Sequence, residues 1–164
     1  MPQQPRFQTT TNSRGYFDFG ETLKHEIYEI YVQKDKDGYP DPLSPFYRPL
    51  DFTPETVQLF GKKPDAKIDI KLGEKAGVLR GTVTDGDTGL PLTAKLSLYS
   101  SEREDGIGRL VEGKFRELVP ARTEISVQVQ AQAPGHWSRF RTERTLQPGE
   151  EQTLDILLFR NPTP

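Results

Sequence analysis

The side chains that most often carry catalysis are scarce in this sequence. Its two histidines, His25 and His136, lie at neither the His-x-x-x-His nor the Glu-x-x-His spacing that would place two groups around one metal ion. Cysteine is absent, which excludes thiolate nucleophiles, disulfides and cysteine-ligated zinc together. Ser100 and Ser101 lie in a polar segment without the Gly-x-Ser-x-Gly pattern of an activated serine. We therefore expect a protein that is not an enzyme and needs no cofactor.

Two closely spaced carboxylates are the best candidates for a metal site. Asp85 and Asp87, with the backbone of Gly86 between them, could offer oxygen ligands to Ca²⁺. However, no glutamate follows at the spacing of a Ca²⁺-binding loop. An Asp-Gly turn between two strands explains the same residues without a metal, and it is the interpretation we favour. We expect no metal.

Trp137 is the best candidate for binding a ligand, because a ring at a loop tip can stack on a sugar or anchor a protein partner. It directly follows the turn residues Pro134-Gly135-His136. If a strand comes next, Arg139 lies on the same face as Trp137 and could add hydrogen bonds, while Phe140 points into the core. The candidate ligand-binding set is therefore Trp137, Arg139 and His136. The alternative, which we favour, is that Trp137 closes the core where two sheets meet.

The elements that must position these residues are strands. From Glu124 to Gln132, apolar and polar residues alternate strictly, so that the apolar ones share one face. The same alternation recurs at residues 67–72, 94–99 and 154–158. Turn-forming sequences separate the runs: Asp85–Gly89, Ala133–Gly135 and Gln147–Gly149. Short strands with turns at this density indicate an all-β sandwich or barrel.

The segment Glu21–Lys34 is ambiguous. Leu23, Ile27, Ile30 and Tyr31 have helical spacing, but the run from Ile27 to Val32 is dense in β-branched and aromatic residues. We predict a strand, and the deciding reason is an internal repeat described below.

Composition and charge exclude several classes of partner. The 164 residues have a formal net charge of -2 with both signs interspersed. The sequence has no basic stripe or Lys/Arg-rich tail that could follow a phosphate backbone, so nucleic-acid binding is not expected. The N-terminal residues contain no apolar signal region, and no apolar stretch approaches the roughly 20 residues that span a bilayer. Fourteen glycines and fourteen prolines favour a fold rich in turns.

The two halves of the chain resemble each other. Four short matches occur in the same order, among them Glu29–Gln33 with Glu124–Gln128 and Ile68–Ile70 with Leu154–Ile156. The first copy has no room for the two opening strands of the second. We therefore predict a partial β-sandwich over residues 1–73, the C-terminal half of a repeat, and a complete one over residues 74–160. The chain is then a fragment, or another chain supplies strands, or the partial copy docks onto the complete one.

The stretch Gly77–Tyr99 resembles the opening of carboxypeptidase regulatory-like domains. It shows their Gly-x-Val-x-Asp strand, their Thr-Gly-x-Pro-Leu turn and a following alternating strand, and Gly113–Phe115 and Glu124–Gly135 resemble their later strands. The sequence departs at Pro134-Gly135-His136, where the family has Pro-Gly-Tyr. The resemblance implies a transthyretin-like, Greek-key β-sandwich of about seven strands, grouped with carbohydrate-binding-like domains and found beside other domains outside the cytoplasm.

Three hypotheses for function follow. The first, which we favour, is a non-catalytic structural or spacer module of a multi-domain extracytoplasmic protein, in contact with neighbouring domains. The second is a carbohydrate- or protein-binding module that uses exposed loop aromatics, with polysaccharide as a candidate partner. The third is a transthyretin-like hydrolase. It is disfavoured, because hydroxyisourate hydrolases end in Tyr-Arg-Gly-Ser, whereas this chain ends in Phe159-Arg160-Asn161-Pro162 and two further residues.

Overall fold

A computed structural model describes residues 7–19, 27–40, 55–59, 66–101, 106–135 and 137–161. The backbone divides into two compact units. The first contains Met1–Ile30 and Thr56–Asp69, and the second contains Tyr31–Glu55 and Ile70–Pro164. The predicted division at residues 73 and 74 stays a prediction.

The first unit contains a small sheet and a turn. Strands β1 (Ile27–Ile30) and β2 (Glu55–Gln58) form a two-stranded sheet. The side chain of Asn12 closes the turn by accepting hydrogen bonds from the backbone N–H groups of Arg14, at 2.9 Å, and Tyr16, at 3.1 Å. Strand β1 lies in the ambiguous segment, so the prediction of a strand is confirmed there for residues 27–30.

The second unit is built from strands, and the all-β prediction is confirmed. Within the described residues its strands are β3 (Gly77–Asp85), β4 (Thr93–Ser100), β5 (Gly106–Glu112), β6 (Lys114–Val119), β7 (Glu124–Ala131), β8 (Arg139–Thr145) and β9 (Glu151–Leu158). They form a three-stranded sheet in the order β6-β3-β9 and a four-stranded sheet in the order β5-β4-β7-β8. Strands β3 and β9 are parallel, and the other neighbouring strands of these two sheets are antiparallel.

The two sheets pack face to face in a sandwich-like arrangement. Their apolar residues form one cluster, because alternation along each strand turns every second side chain inward. Strand β7 shows the pattern clearly: Ile125, Val127, Val129 and Ala131 are buried, as the sequence predicts. The three-stranded sheet contributes Leu79, Val83, Phe115, Val119, Leu154, Ile156 and Leu158.

One predicted strand is wrong. Residues 67–72 alternate in polarity, yet they lie in no strand. In the predicted repeat, Ile68–Ile70 correspond to Leu154–Ile156, which do lie in β9. Alternation favours a strand only where a neighbouring strand supplies the hydrogen bonds, and none of the described strands pairs with this segment. The repeat itself stays a prediction, since other matched residues, Phe52 and Gly61, lie outside the described residues.

A short segment from the first half of the chain docks beside the start of β3. The 3₁₀ turn Asp35–Asp37 ends at Gly38, which has φ of 86°. The backbone N–H of Ala76 donates to the carbonyl of Gly38 at 2.9 Å, and the Lys75 ammonium lies 5.6 Å from the centre of the Tyr39 ring. This part of the first half therefore belongs structurally to the sandwich.

Candidate functional site

Trp137 lies where the two sheets meet at one lateral edge of the sandwich. It comes after the bend at Ala133–Gly135 and just before β8. Its backbone forms an isolated antiparallel bridge with Arg160, two residues beyond the end of β9. Next to it, the N–H of Ser138 donates to the carbonyl of Phe159 at 2.8 Å, and the Ser138 hydroxyl accepts from the N–H of Phe159 at 2.9 Å. The segment before β8 is thus bonded to the segment after β9, which belongs to the other sheet.

The indole of Trp137 is engaged by three internal contacts. The ring is half-buried and packs against the hydrophobic core. Its Nε1–H donates to the carbonyl of Pro134 at 3.2 Å. The guanidinium carbon of Arg160 lies 5.0 Å from the ring centroid, within the range of a cation–π interaction. The polar atom of the indole and part of its π surface are therefore already used by the protein.

Arg139 lies on the solvent side of β8, where it pairs in register with Gln130. It is exposed, whereas Phe140, the next residue, is half-buried and packs against the core. The contacts to the indole come from Pro134, Arg160 and the core. The cation beside Trp137 is therefore Arg160 rather than Arg139. The third predicted site residue, His136, lies outside the described residues, as does His25.

The sequence interpretation missed Arg160. A signal for it exists, because the alternation of β9 continues past the end of the strand. Leu154, Ile156 and Leu158 point inward, and Arg160 has the same parity, which places it on the face that meets the other sheet. Parity alone would have predicted an arginine at the edge of the core.

The Asp85 turn lies beside the same end of β9. The carboxylate Oδ1 of Asp85 accepts hydrogen bonds from the backbone N–H groups of Asp87, at 2.9 Å, and Thr88, at 3.4 Å. The hydrogen bond from Asp87 is the main reason that the pKa of Asp85 lies below its ordinary value of 3.8. Among the described residues, no group of three or more histidine, aspartate or glutamate side chains is arranged to hold a metal ion. Through its hydrogen bonds to Asp87 and Thr88, the Asp85 carboxylate organises the turn.

A buried carboxylate lies at the opposite lateral edge, between β5 and β6. Glu117 is buried on the inner face of β6, between Phe115 and Val119. Arg109 on β5 forms an ion pair with it and also donates to the carbonyl of Arg116 at 3.2 Å. Burial raises the pKa of Glu117 above its ordinary value of 4.5, although the Arg109 guanidinium acts in the other direction. An inward charge on an edge strand also discourages edge-to-edge pairing.

A shallow cleft lies where the 3₁₀ turn meets the outer face of the three-stranded sheet. Its volume is about 190 Å³, and charged side chains of both signs line it: Lys36, Asp37, Lys75, Arg116 and Glu151. Both carboxylates have partners, since Asp37 pairs with Lys34 at 3.1 Å and Glu151 with Arg80 at 2.6 Å. The cleft is polar, in contrast to the apolar pockets that usually bind small molecules.

Comparisons with known proteins leave the family of this chain open. No family model matches the sequence, and no curated protein matches it. One similar solved structure is that of a Bacteroides uniformis protein for which carbohydrate binding is proposed. The match has 11% sequence identity and a TM-score of 0.38, and it covers 51% of this chain and 41% of that one. Within the described residues, no helix is long and apolar enough to cross a membrane.

Proposed function

We propose that this chain is a non-catalytic structural or spacer module of a multi-domain extracytoplasmic protein. The observation that supports this role most directly is the engagement of Trp137, the strongest ligand-binding candidate in the sequence. Its N–H bonds to Pro134, Arg160 lies against its π surface, and the bridge to Arg160 joins the two sheets. An aromatic side chain that could recognise a ligand therefore also contributes to holding the two sheets together.

We further propose a transthyretin-like, Greek-key sandwich of the carboxypeptidase regulatory-like kind. The residues that resemble that family fall on β3 and β4 and on the turn between them. In that turn Gly89 has φ of 70°, a conformation that favours glycine and explains its place in the Thr-Gly-x-Pro-Leu motif. On this proposal the partners are neighbouring domains, or another chain that supplies strands to a partial copy in residues 1–73.

Binding of a carbohydrate or a protein through the loop around Trp137 is the second candidate. Two aromatic side chains at this lateral edge of the sandwich favour it, because they are partly accessible: the Trp137 ring is only half-buried, and Phe159 is 44% exposed. A ligand could stack on the free part of the indole, with Arg139 and His136 as the predicted hydrogen-bonding groups. It would have to share the ring with Arg160 or displace it.

Thermal unfolding of the full chain, followed by the fluorescence of Trp137, decides between the two candidates. The chain is heated alone and with neutral polysaccharides, acidic polysaccharides or peptides. A ligand at about one hundred times its Kd stabilises a protein by about 2.7 kcal/mol. The spacer role predicts the same midpoint in every mixture. A shift with one class, reduced in Arg139→Gln but kept in the exposed control Arg116→Gln, would establish the binding module. Turnover of a ureide substrate would revive the hydrolase.

A further inference from the structure

The first and last strands of the sandwich lie side by side and run in the same direction. Strand β3 begins the sandwich and β9 ends it, and eight residue pairs join them, from Val78 with Glu151 to Asp85 with Leu158. Backbone hydrogen bonds extend this ladder at both ends. The N–H of Val78 donates to Glu150 at 2.7 Å, and the N–H of Gly86 donates to Leu158 at 2.9 Å.

This arrangement fixes how a pulling force would act on the ladder. Because the strands are parallel, the chain enters β3 at one end of the ladder and leaves β9 at the other end. Tension between these two points is directed along the strands, so it loads all the interstrand hydrogen bonds at once. An antiparallel pair of terminal strands would have both chain ends at one side, and its bonds would open one after another.

Side chains across the ladder add resistance to sliding. On the outer face, Thr82 donates a hydrogen bond to Asp155 at 2.7 Å. Arg80 contacts two further residues of β9. Its Nε donates a hydrogen bond to the hydroxyl of Thr153 at 3.4 Å, and its guanidinium forms an ion pair with Glu151 at 2.6 Å. A slip of β9 by one residue would break all three contacts and turn the inward residues of β9 to the outer face.

Each end of the ladder is also attached to a neighbouring segment. At the entrance, the N–H of Gly149 donates to the carbonyl of Ala76 at 2.9 Å. At the exit, the bridge between Arg160 and Trp137 holds the chain after β9 to the four-stranded sheet. Force that arrives from either side therefore meets bonded residues before it reaches the ladder.

From this geometry we propose that the parallel β3–β9 pair is a shear clamp, which makes the sandwich a spacer that resists tension between the parts of a protein that it connects. The inference rests on the proposed spacer role and adds a mechanical property to it. The clamp consists of the ladder from Val78 to Asp85 on β3 and from Glu151 to Leu158 on β9, with the contacts of Arg80 and Thr82 across it.

Single-molecule force spectroscopy tests the clamp by changing the direction of the force. The chain has no cysteine, so pairs of cysteines introduced into the full chain define the pulling points. In the variant with Gly73→Cys and Asn161→Cys, force is applied along the ladder. In the variant with Gly73→Cys and Gln147→Cys, force is applied at one end of the ladder and pulls the two strands apart from there. We expect a peak unfolding force at least about twofold higher along the ladder. Unfolding in that geometry should release about 28 nm of chain. Equal forces in the two geometries would overturn the clamp.

Paired variants locate the load. In the geometry along the ladder, Arg80→Met with Thr82→Val should raise the rupture rate at constant force about tenfold, because three contacts across the clamp are lost. The control, Lys114→Met with Arg116→Met, changes exposed residues that pair with the other side of β3. It should leave the rate unchanged, and an equal rise in the control would overturn the assignment of the load to β3 and β9.

The force measurements and the ligand-binding test of the spacer role can fail independently of each other. A ligand that binds saturably would remove the spacer role without altering the ratio of the two forces. Equal forces would remove the clamp and leave the spacer role untouched.

Discussion

Trp137 and Arg160 tie together two strands that belong to different sheets. Their backbones form an antiparallel bridge, and the guanidinium carbon of Arg160 lies 5.0 Å from the centre of the indole. One arginine thus supplies both a backbone partner and a cation at the edge of the core. This edge is where an open sandwich could separate, because β8 and β9 are the edge strands of their sheets.

A double-mutant cycle should show that Trp137 is coupled to Arg160 and not to Arg139. Arg160→Gln should lower the free energy of unfolding by about 0.5 to 1 kcal/mol, since it removes the cation from a partly exposed ring. Trp137→Phe should lower it by about 1 to 2 kcal/mol, because the bond to Pro134 is also lost. We expect the two changes to be non-additive by about 0.5 kcal/mol or more, as urea denaturation monitored by circular dichroism would measure.

Arg139→Gln is the matched control for this cycle. It should add to Trp137→Phe without coupling, because Arg139 faces solvent beside Gln130. Coupling to Arg139 with none to Arg160 would contradict the structure and support the arrangement that the sequence suggested.

Glu117 should make the sandwich less stable as the pH rises. Burial raises its pKa above the ordinary value of 4.5, so the folded state holds this proton more tightly than the unfolded state. The favourable contribution is therefore complete below 4.5 and is lost as the pH passes through the raised pKa. We expect the stability of wild type relative to Glu117→Gln to fall as the pH rises from 4.5 through the raised pKa of Glu117.

Urea denaturation of both proteins across that range measures the difference. The amide keeps the shape of the side chain and does not titrate, so other groups cancel in the comparison. A stability difference that stays constant with pH would show that Glu117 is as well stabilised in its charged form when folded as when unfolded.

Asp85 should have the opposite pH dependence. Hydrogen bonds, first of all from the N–H of Asp87, lower its pKa below 3.8. Its stabilising contribution is present above pH 3.8 and is lost as the pH falls through the lowered pKa. We expect the free energy of unfolding of Asp85→Asn to fall less than that of wild type as the pH is lowered into the acid range. The neighbouring Asp87→Asn is the control, and an equal effect of both would contradict a special role for Asp85.

Gly81 should be intolerant of any side chain. A Cβ at this position would lie 1.8 Å from the carbonyl oxygen of Leu154 on β9 and 2.9 Å from the ring of Phe115. Gly81→Ala therefore forces β3 and β9 apart, and we expect a loss of at least about 2 kcal/mol. Gly73→Ala, where the added carbon meets no atom within 4 Å, should change stability by no more than about 1 kcal/mol. Similar midpoints for the two variants in thermal unfolding would contradict this close approach.

Local patterns in the sequence predicted much of the sandwich. Alternation identified β4, β7 and β9, because a strand with one buried face needs an apolar residue at every second position. The turn at Asp85 followed from the side-chain chemistry of aspartate next to glycine. The same patterns overpredicted a strand at residues 67–72, since they carry no information about whether a partner strand lies alongside.

The candidate site was predicted less completely. The sequence singles out Trp137 and is compatible with a place for it at the edge of the core. Its partner, Arg160, lies 23 positions away along the chain, and the bridge between the two is a long-range contact. Arg109 and Glu117 were also missed, although the parity of Glu117 with Phe115 and Val119 places it on the inner face.

The amino-acid sequence alone shows which residues alternate, where the chain turns and which side chains could form a core. These properties depend on neighbours a few positions apart. Three features are visible only in the folded protein: β9 pairs in parallel with β3, Arg160 meets the Trp137 ring, and a carboxylate is buried opposite Arg109. This is because strand pairing and inter-sheet contacts join distant residues, and their free energy depends on the packing of the whole core.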